Sequence, residues 1–454
     1  MTDRRLVSKF GIMVLVFALL VMNGTVAAAG IDWRQASGER IRLLFVSHPF
    51  VDSVRPLLPE FEEKTGIKVD VEVLAEVPAF DKLLMDLQSK AGTYDVFMTD
   101  PLHNWQYAAA GWLEPLDAYL EDPSLTDVKT YDVKDFSPGL FAAGRWNCQP
   151  LEGVGEGSLW ALPIDYETYI TAYRADIFQK HQLTPPETYD ELLEVVKKLR
   201  PLLEKENMYP LTTRFEKYWD LPFLTYGTMV LSYGGQFMDE NGKVAIASPQ
   251  VVAATEKFIE ILKAGAPDAI ANNSWYDSMQ QFASGRYAIA FNEADLFAPN
   301  YEDETQSAVA GKVGYALPPA GPDGLCRSGI WLWQLSMNKA SQHKTAAWLF
   351  LNWVTSRETM VETHLRGNMN PVRISAWQDP RLQEMVEPWG AEPGQYRKVE
   401  VEMLKNIAGL YFPPHPELTR MLDRWAEAVQ QSFFEGGNVQ KNLQAAAKEI
   451  ERMM

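Results

Sequence analysis

Cysteine is nearly absent: Cys148 and Cys326 are the only two in 454 residues. Two thiols cannot staple a disulfide scaffold, and cannot by themselves complete a four-ligand zinc site. Histidine is scarce, with six copies (His48, His103, His181, His343, His364, His415) and no metalloprotease pairing. Cations run short as well: 42 Lys and Arg stand against 60 Asp and Glu, a formal charge of −18. That balance argues against nucleic acid or an anionic membrane as partner, since both need clustered Lys and Arg. The chain has no G-x-S-x-G elbow and no G-x-x-x-x-G-K-[ST] loop. Beyond residue 29 no run is long and apolar enough to span a bilayer. Repeats, low-complexity tracts and long linkers are missing too.

What is present is the composition of a folded globular chain, 46% hydrophobic and 22% charged. Its length suits two or three domain-sized bodies. Tryptophan is abundant, with 14 copies.

Residues 1–29 read as an export signal. Arg4, Arg5 and Lys9 supply a positive start, 10–22 (FGIMVLVFALLVM) an apolar stretch, and 25–29 (TVAAA) small residues for cleavage. The apolar stretch falls short of the roughly 20 residues of a spanning helix. The expected product is exported and soluble, in the periplasm, by the Sec or the twin-arginine route. No cysteine near the cleavage region allows a lipid anchor. In an oxidising compartment Cys148 and Cys326 become a disulfide candidate, with two separate thiols as the alternative.

Along the chain, 41–46 (IRLLFV) and the alternating 68–73 read as strands, and 95–98 (DVFM) as a third. Amphipathic helices fall between them, one ended by Gly66 and another over 79–91. A β-α-β-α-β order argues for a mostly parallel sheet, with ligands beyond the carboxyl ends of its strands. That draws attention to 47–51 and 99–105. A second unit begins near Leu159 with a crossover strand over 161–173. Thr188 and Glu191 form a capping-box pattern, and a strand is expected over 287–292.

The ordered run resembles the extracellular solute-binding proteins of ABC importers, in the sugar-binding branch of the maltose-binding type. The stretches that carry it include PEFEEKTGIKVDVEV (59–73), TYDVFMTD (93–100), AGWLEPLDAYL (110–120), LWALPIDYETYITAYRADIF (159–178), SYGGQFMDENGKVAIASPQ (232–250), FASGRYAIAF (282–291) and KTAAWLFLNWVTS (344–356). The resemblance implies an α/β fold of two lobes, with a hinge and a central cleft. It puts crossings near 162–165, 298–307 and 355–362. Lobe 1 is then 30–162 plus 305–356, and lobe 2 is 165–300 plus 360–454. Both cysteines fall in lobe 1, where a bridge would leave lobe closure free.

It further implies binding without catalysis and without a cofactor or metal: capture of a sugar or sugar alcohol, and delivery by a monomer to a membrane permease. The alternatives are a charged solute, such as a glycerol phosphodiester or polyamine, and a secreted glycoside hydrolase. Polar groups that bond hydroxyls, and indoles that cover C–H faces, are the chemistry to look for. Ser47 and His48 end the first strand; Asp100, Asn104 and Trp105 follow the third. Asp165, Tyr166 and Glu167 occupy the first crossover. Trp219, Tyr226, Trp275, Asn292, Asp295, Trp331 and Arg373 complete the candidates. Trp331 is preferred to Trp333 for the cleft. Trp348, Trp353 and Trp425 lie on helical apolar stripes and read as core.

Overall fold

The computed structural model describes residues 31–435 and 438–454; the signal segment 1–29 lies outside the described residues. β1 (Arg40–Val46), β2 (Lys68–Leu74) and β3 (Val96–Thr99) run parallel, close to the expected spans. Between them lie helices α1 (Pro49–Val54), α2 (Leu58–Thr65) and α3 (Glu76–Ser89), and α4 (Pro101–Ala109) follows β3. Helix α2 stops at Gly66, whose φ of 74° suits glycine, and a Cβ there would lie 2.2 Å from Ser37 Oγ.

The crossover strand β4 (Ala161–Arg174) is 14 residues long and buried almost throughout. β5 (Tyr209–Thr212), β6 (Tyr287–Ala294), β7 (Val313–Ala316) and β8 (Ser328–Met337) complete the framework. The sheet order is β2-β1-β3-β8-β4-β6-β5, with β7 beside β4 and the short strand Ala408–Gly409 beside β8, nine strands in all. β8 is antiparallel to both β3 and β4. The two longest strands therefore run through the whole molecule. Their paired ends serve one body with β1–β3, while the far half of β4 serves a second body with β6 and β7.

Helix packing follows sequence. α5 (Tyr189–Leu203) buries the stripe of Leu192, Val195, Val196 and Leu199. Thr188 Oγ1 accepts from Glu191 N at 3.2 Å, as the capping pattern requires. The return bond differs: the Glu191 carboxylate takes Glu187 N at 2.8 Å, one residue earlier. α6 (Pro249–Gly265) packs on α5. α7 (Trp275–Ala283) carries a complete box from Ser274 and Asp277. Trp348 and Trp425 are fully buried and Trp353 nearly so, on helical faces.

Two segments sit differently from the expected lobe boundaries. β7 pairs with Thr171–Arg174, so residues 313–316 belong to the second body's sheet. The helix Arg357–His364 packs on α1, and Phe136 bridges to Arg373, so 357–373 stays with the first body.

The proposed disulfide is also corrected, because both cysteines are free thiols. Cys148 occupies a left-handed turn (φ 60°) in a loop anchored by the bond from Leu151 N to Pro414 O. Cys326 instead packs on the second body, donating to Pro318 O at 3.2 Å, next to Arg327, whose N bonds Ser232 Oγ. Burial, with Glu402 nearby, pushes the Cys326 thiol up to about 11.

Candidate functional site

The carboxyl ends of β1, β2 and β3 all point to one junction between the two bodies. There Glu76, Glu167, Arg214, Trp219, Asp220, Leu224, Trp275, Trp331 and Trp333 enclose a narrow space. Its volume is about 10 Å³, room for about one water. The bodies are closed against each other here. Tyr276 OH of the second body donates to Ser47 O of the first at 2.6 Å. The His48 ring lies 6.1 Å from Trp275, and His103 meets Trp219 edge-on at 5.6 Å.

The floor comes from the two long strands. Glu167 of β4 is held at both oxygens: Trp333 Nε1 donates to Oε1 at 2.8 Å and Tyr169 OH to Oε2 at 3.1 Å. Trp331 and Trp333 of β8 stand two residues apart and so share a face. Their rings meet edge-on at 5.7 Å, and Trp331 lies 5.2 Å from Trp219.

The second body contributes the pocket's cation. Arg214 follows β5 and is buried; its NH1 donates to Asp220 Oδ2 at 3.3 Å and its Nε lies 3.6 Å from Glu293 Oε2. Burial alone would lower its pKa, but Glu293, Tyr169 and Asp220 hold the charge and the net direction is up. Among the described residues its NH2 has no partner.

The first body contributes His48 and Glu76. His48 caps α1, with Nδ1 accepting from Phe50 N at 3.1 Å. Nε2 therefore carries the hydrogen, and it too is buried without a partner. Burial pushes the His48 pKa down to about 3, so the ring is neutral. Glu76 opens α3 and is half-buried; desolvation, then Asp220 and Asp100, raise its pKa well above the usual range. Burial likewise lifts Glu167 to about 7, against the pull of Arg214 and Trp333. Arg214, with NH2 unsatisfied among the described residues, and two carboxyls (Glu76, Glu167) thus line the space with four indoles, while His48, with Nε2 unsatisfied, stands against Trp275 and Trp333. That set can exchange hydrogen bonds with hydroxyls, each of which both gives and accepts, while the indoles cover a C–H face.

Of the residues singled out in the sequence, the structure brings Glu167, Trp219, Trp275 and Trp331 to the pocket, with His48 against two of its indoles. Ser47 takes part through its carbonyl. Asp100 lies one layer back: it caps α4 and bonds His103, whose ring stacks on Phe80. Asp165 is buried beside Glu167, with Oδ1 taking Tyr166 N.

The rest lie elsewhere. Asn104 is tied to Gln334 and Ser336, and Trp105 is fully buried beside it on α4. Tyr226 faces the second body's core, bonding Thr255 and meeting Trp425 edge-on. Asn292 (φ 45°) bonds Tyr189 OH and Thr225 O. Asp295 takes Thr168 N at 3.0 Å and Asn370 Nδ2 at 2.8 Å, where the crossings meet. Tyr166 projects from the opposite face of β4 from Glu167, and accepts from Trp377 Nε1. Arg373 is locked in the first body, its Nε on Thr355 O at 2.7 Å and its plane 3.9 Å over Phe136.

Glu76, Arg214 and Asp220 are absent from the sequence-based candidates, and Trp333, ranked there below Trp331, lines the pocket beside it. Glu76 lies two residues past β2, so the strand-end rule that selected the loops after β1 and β3 also covers it. Asp220 adjoins Trp219, and Trp333 shares a strand face with Trp331. Among the described residues no group of three His, Cys, Asp or Glu could hold a metal, and no helix is long and apolar enough to cross a membrane.

Comparison with known proteins gives a consistent set of matches. The family described as bacterial extracellular solute-binding protein matches residues 48–361. An erythritol/L-threitol-binding protein of Mycolicibacterium smegmatis is 29% identical over 426 residues, 92% of this chain and 87% of that one. A mannitol-binding protein of Pseudomonas aeruginosa is 26% identical over 388 residues, 84% of this chain and 81% of that one. The crystal structure of an ABC transporter solute-binding protein from Agrobacterium radiobacter, in complex with ribitol, superposes with a TM-score of 0.81. It shares 25% identity and covers 92% of this chain and 100% of that one.

Proposed function

The chain belongs to the family of bacterial extracellular solute-binding proteins, and from that premise we propose that it captures a small sugar alcohol for an ABC importer. The observation that carries the proposal is the pocket of four indoles, two carboxyls and the unsatisfied Arg214 NH2 between the bodies, with His48 Nε2 behind two of the indoles. Support comes from the relatives, whose names and ligands are erythritol or L-threitol, mannitol and ribitol. The family binds rather than catalyses, and we assign no reaction to this chain.

The proposed mechanism runs through the hinge. Residues 31–166 with 330–377 form one lobe; 168–327 with 395–454 form the other. The polyol enters the open cleft, lies on Trp331 and Trp333, and is covered by Trp219 and Trp275 as the lobes close. His48 Nε2 and Arg214 NH2 donate to its oxygens, while Glu76 and Glu167 take its hydroxyl hydrogens. Closure then presents a two-lobe surface to the permease. Export by the 1–29 signal, a periplasmic address and a monomeric state complete the reading. Among the described residues Arg214 is the one cation of the pocket lining and is already paired with Asp220 and Glu293, so it leaves little positive charge for an anionic solute.

A thermal-shift panel tests this with erythritol, threitol, ribitol, mannitol, their aldoses, putrescine and glycerol phosphodiesters. A bound ligand at about 100 times its Kd stabilises by about 2.7 kcal/mol. The expected result is a shift with at least one sugar alcohol and none with the phosphodiesters. Silence across all the alcohols, or a shift with putrescine alone, would overturn the proposal.

A further inference from the structure

Behind the hinge lies a second, much larger cavity of about 470 Å³. It opens on the opposite face of β4 from the front pocket: Glu167 lines the front, and its neighbour Tyr166 lines the back. One wall belongs to the first body, with Arg373, Ile374 and Trp377. The other is one side of α8 (Gln395–Glu402) and the turn after it, where Arg397, Val401, Leu404 and Lys405 recur at helical spacing.

The chemistry of this groove is unlike the rest of an acidic chain. Arg373 is 1% exposed, yet its NH2 has no hydrogen-bond partner among the described residues. Its other nitrogens are committed to Thr355 O, Asp132 O and Asp135. Arg397 and Lys405 make no ion pair among the described residues, and the groove's paired cation is Arg373, with Asp135. The carboxyl of the lining, Glu400, is turned inward to Thr168 Oγ1 at 3.4 Å and towards Asp295. Burial and Asp295 raise its pKa well above the usual range, so it adds little negative charge. Between the cations stand exposed apolar side chains, Ile374 at 45% and Val401 at 41%.

We propose that this groove binds a small organic carboxylate with a short apolar body, and that its occupancy favours the closed form of the front cleft. The guanidiniums of Arg373 and Arg397 and the ammonium of Lys405 receive the carboxylate, and Ile374, Trp377, Val401 and Leu404 cover the chain. The volume falls in the range of ordinary small-ligand sites. The coupling follows from leverage. The groove walls belong to different bodies and lie across β4 from the pocket, so opening the front brings them together. An occupant that fits the groove at its present width therefore resists opening. Linkage then requires each ligand to tighten the other by the same factor.

Isothermal titration of the full chain with octanoate, octylamine and octanol tests the site directly, without needing the front ligand. Octanoate should bind, and the other two should not. The double variant Arg397→Ala, Lys405→Ala touches only exposed or half-exposed side chains and should fold; it should weaken octanoate by at least about tenfold. Octanoate binding no tighter than octanol, or unchanged in the double variant, would overturn the site. A titration of the front ligand with and without octanoate tests the coupling. Tighter front binding with octanoate is expected, and an unchanged or weaker affinity would overturn it.

Discussion

Replacing Glu167 with Gln should flatten the pH dependence of stability by a calculable amount. The folded chain holds the Glu167 proton up to about pH 7, because burial opposes the charge; the unfolded chain releases it near 4.5. Below pH 4.5 both states are protonated, and the contribution to stability is fully present. Between 4.5 and 7 only the folded state keeps the proton, so stability falls as pH rises, by about 1.4 kcal/mol per pH unit. Above 7 the contribution is gone, a loss of about 3 kcal/mol in all. The amide of the Glu167→Gln variant would be neutral at every pH and would keep an oxygen for Trp333 Nε1, the stronger of the two tethers at 2.8 Å. Urea unfolding of both proteins, followed by tryptophan fluorescence at pH 4.5, 6 and 8, measures the difference. Acids distant from Glu167 contribute equally to both curves and cancel, while Asp165 and Glu76, whose pKa values Glu167 helps to raise, change along with it. The variant should gain about 3 kcal/mol relative to wild type between pH 4.5 and 8. Parallel profiles, within about 1 kcal/mol, would refute a neutral Glu167 and the burial that makes it so.

Trp219→Ala should weaken polyol binding by at least about tenfold while leaving the far-ultraviolet circular dichroism unchanged, since the ring caps the pocket. Tyr276→Phe removes the bond to Ser47 O that joins the closed bodies; a two- to tenfold rise in Kd is expected, from a net hydrogen bond of about 0.5–1.5 kcal/mol. An unchanged Kd would show that this bond does not favour closure. Asp295→Ala strands Thr168 N inside the hinge, at about 1–3 kcal/mol, and removes one of the two bonds of Asn370 Nδ2, whose other stays on Tyr166 O; it should lower the urea midpoint clearly. Thiol titration of the denatured, unreduced protein should count two thiols; a count of zero would restore the Cys148–Cys326 bridge.

Local pattern made much of the fold legible. The apolar run at 41–46 and the alternation at 68–73 lie within β1 and β2, because a side chain's face in a strand follows from sequence alone. The crossover over 161–173 matches β4 to within a residue. Long-range placement was less visible. Nothing local tells Tyr226, packed on Trp425, from Trp219, which lines the pocket. The three-residue step from Asp100 to His103 hides that the carboxylate is used by its own helix cap. β7 joins the second body because its partner is residues 171–174, about 140 positions earlier. For the cysteines the sequence left both a bridge and separate thiols open, and only the packing selects free thiols.

The two long strands also set the order in which the molecule can assemble. The first body's parallel strands end at Thr99, yet β3 gains its outer neighbour only from Val96–Thr99 pairing with Gln334–Met337. More than half of the chain intervenes. A chain emerging from its amino end leaves β3 as an open edge until that late segment arrives, and the closure entropy of so long a loop slows the pairing. Any route that threads the polypeptide through a pore before folding gains time from this delay. The same strands that join the lobes thus keep the first body from maturing early.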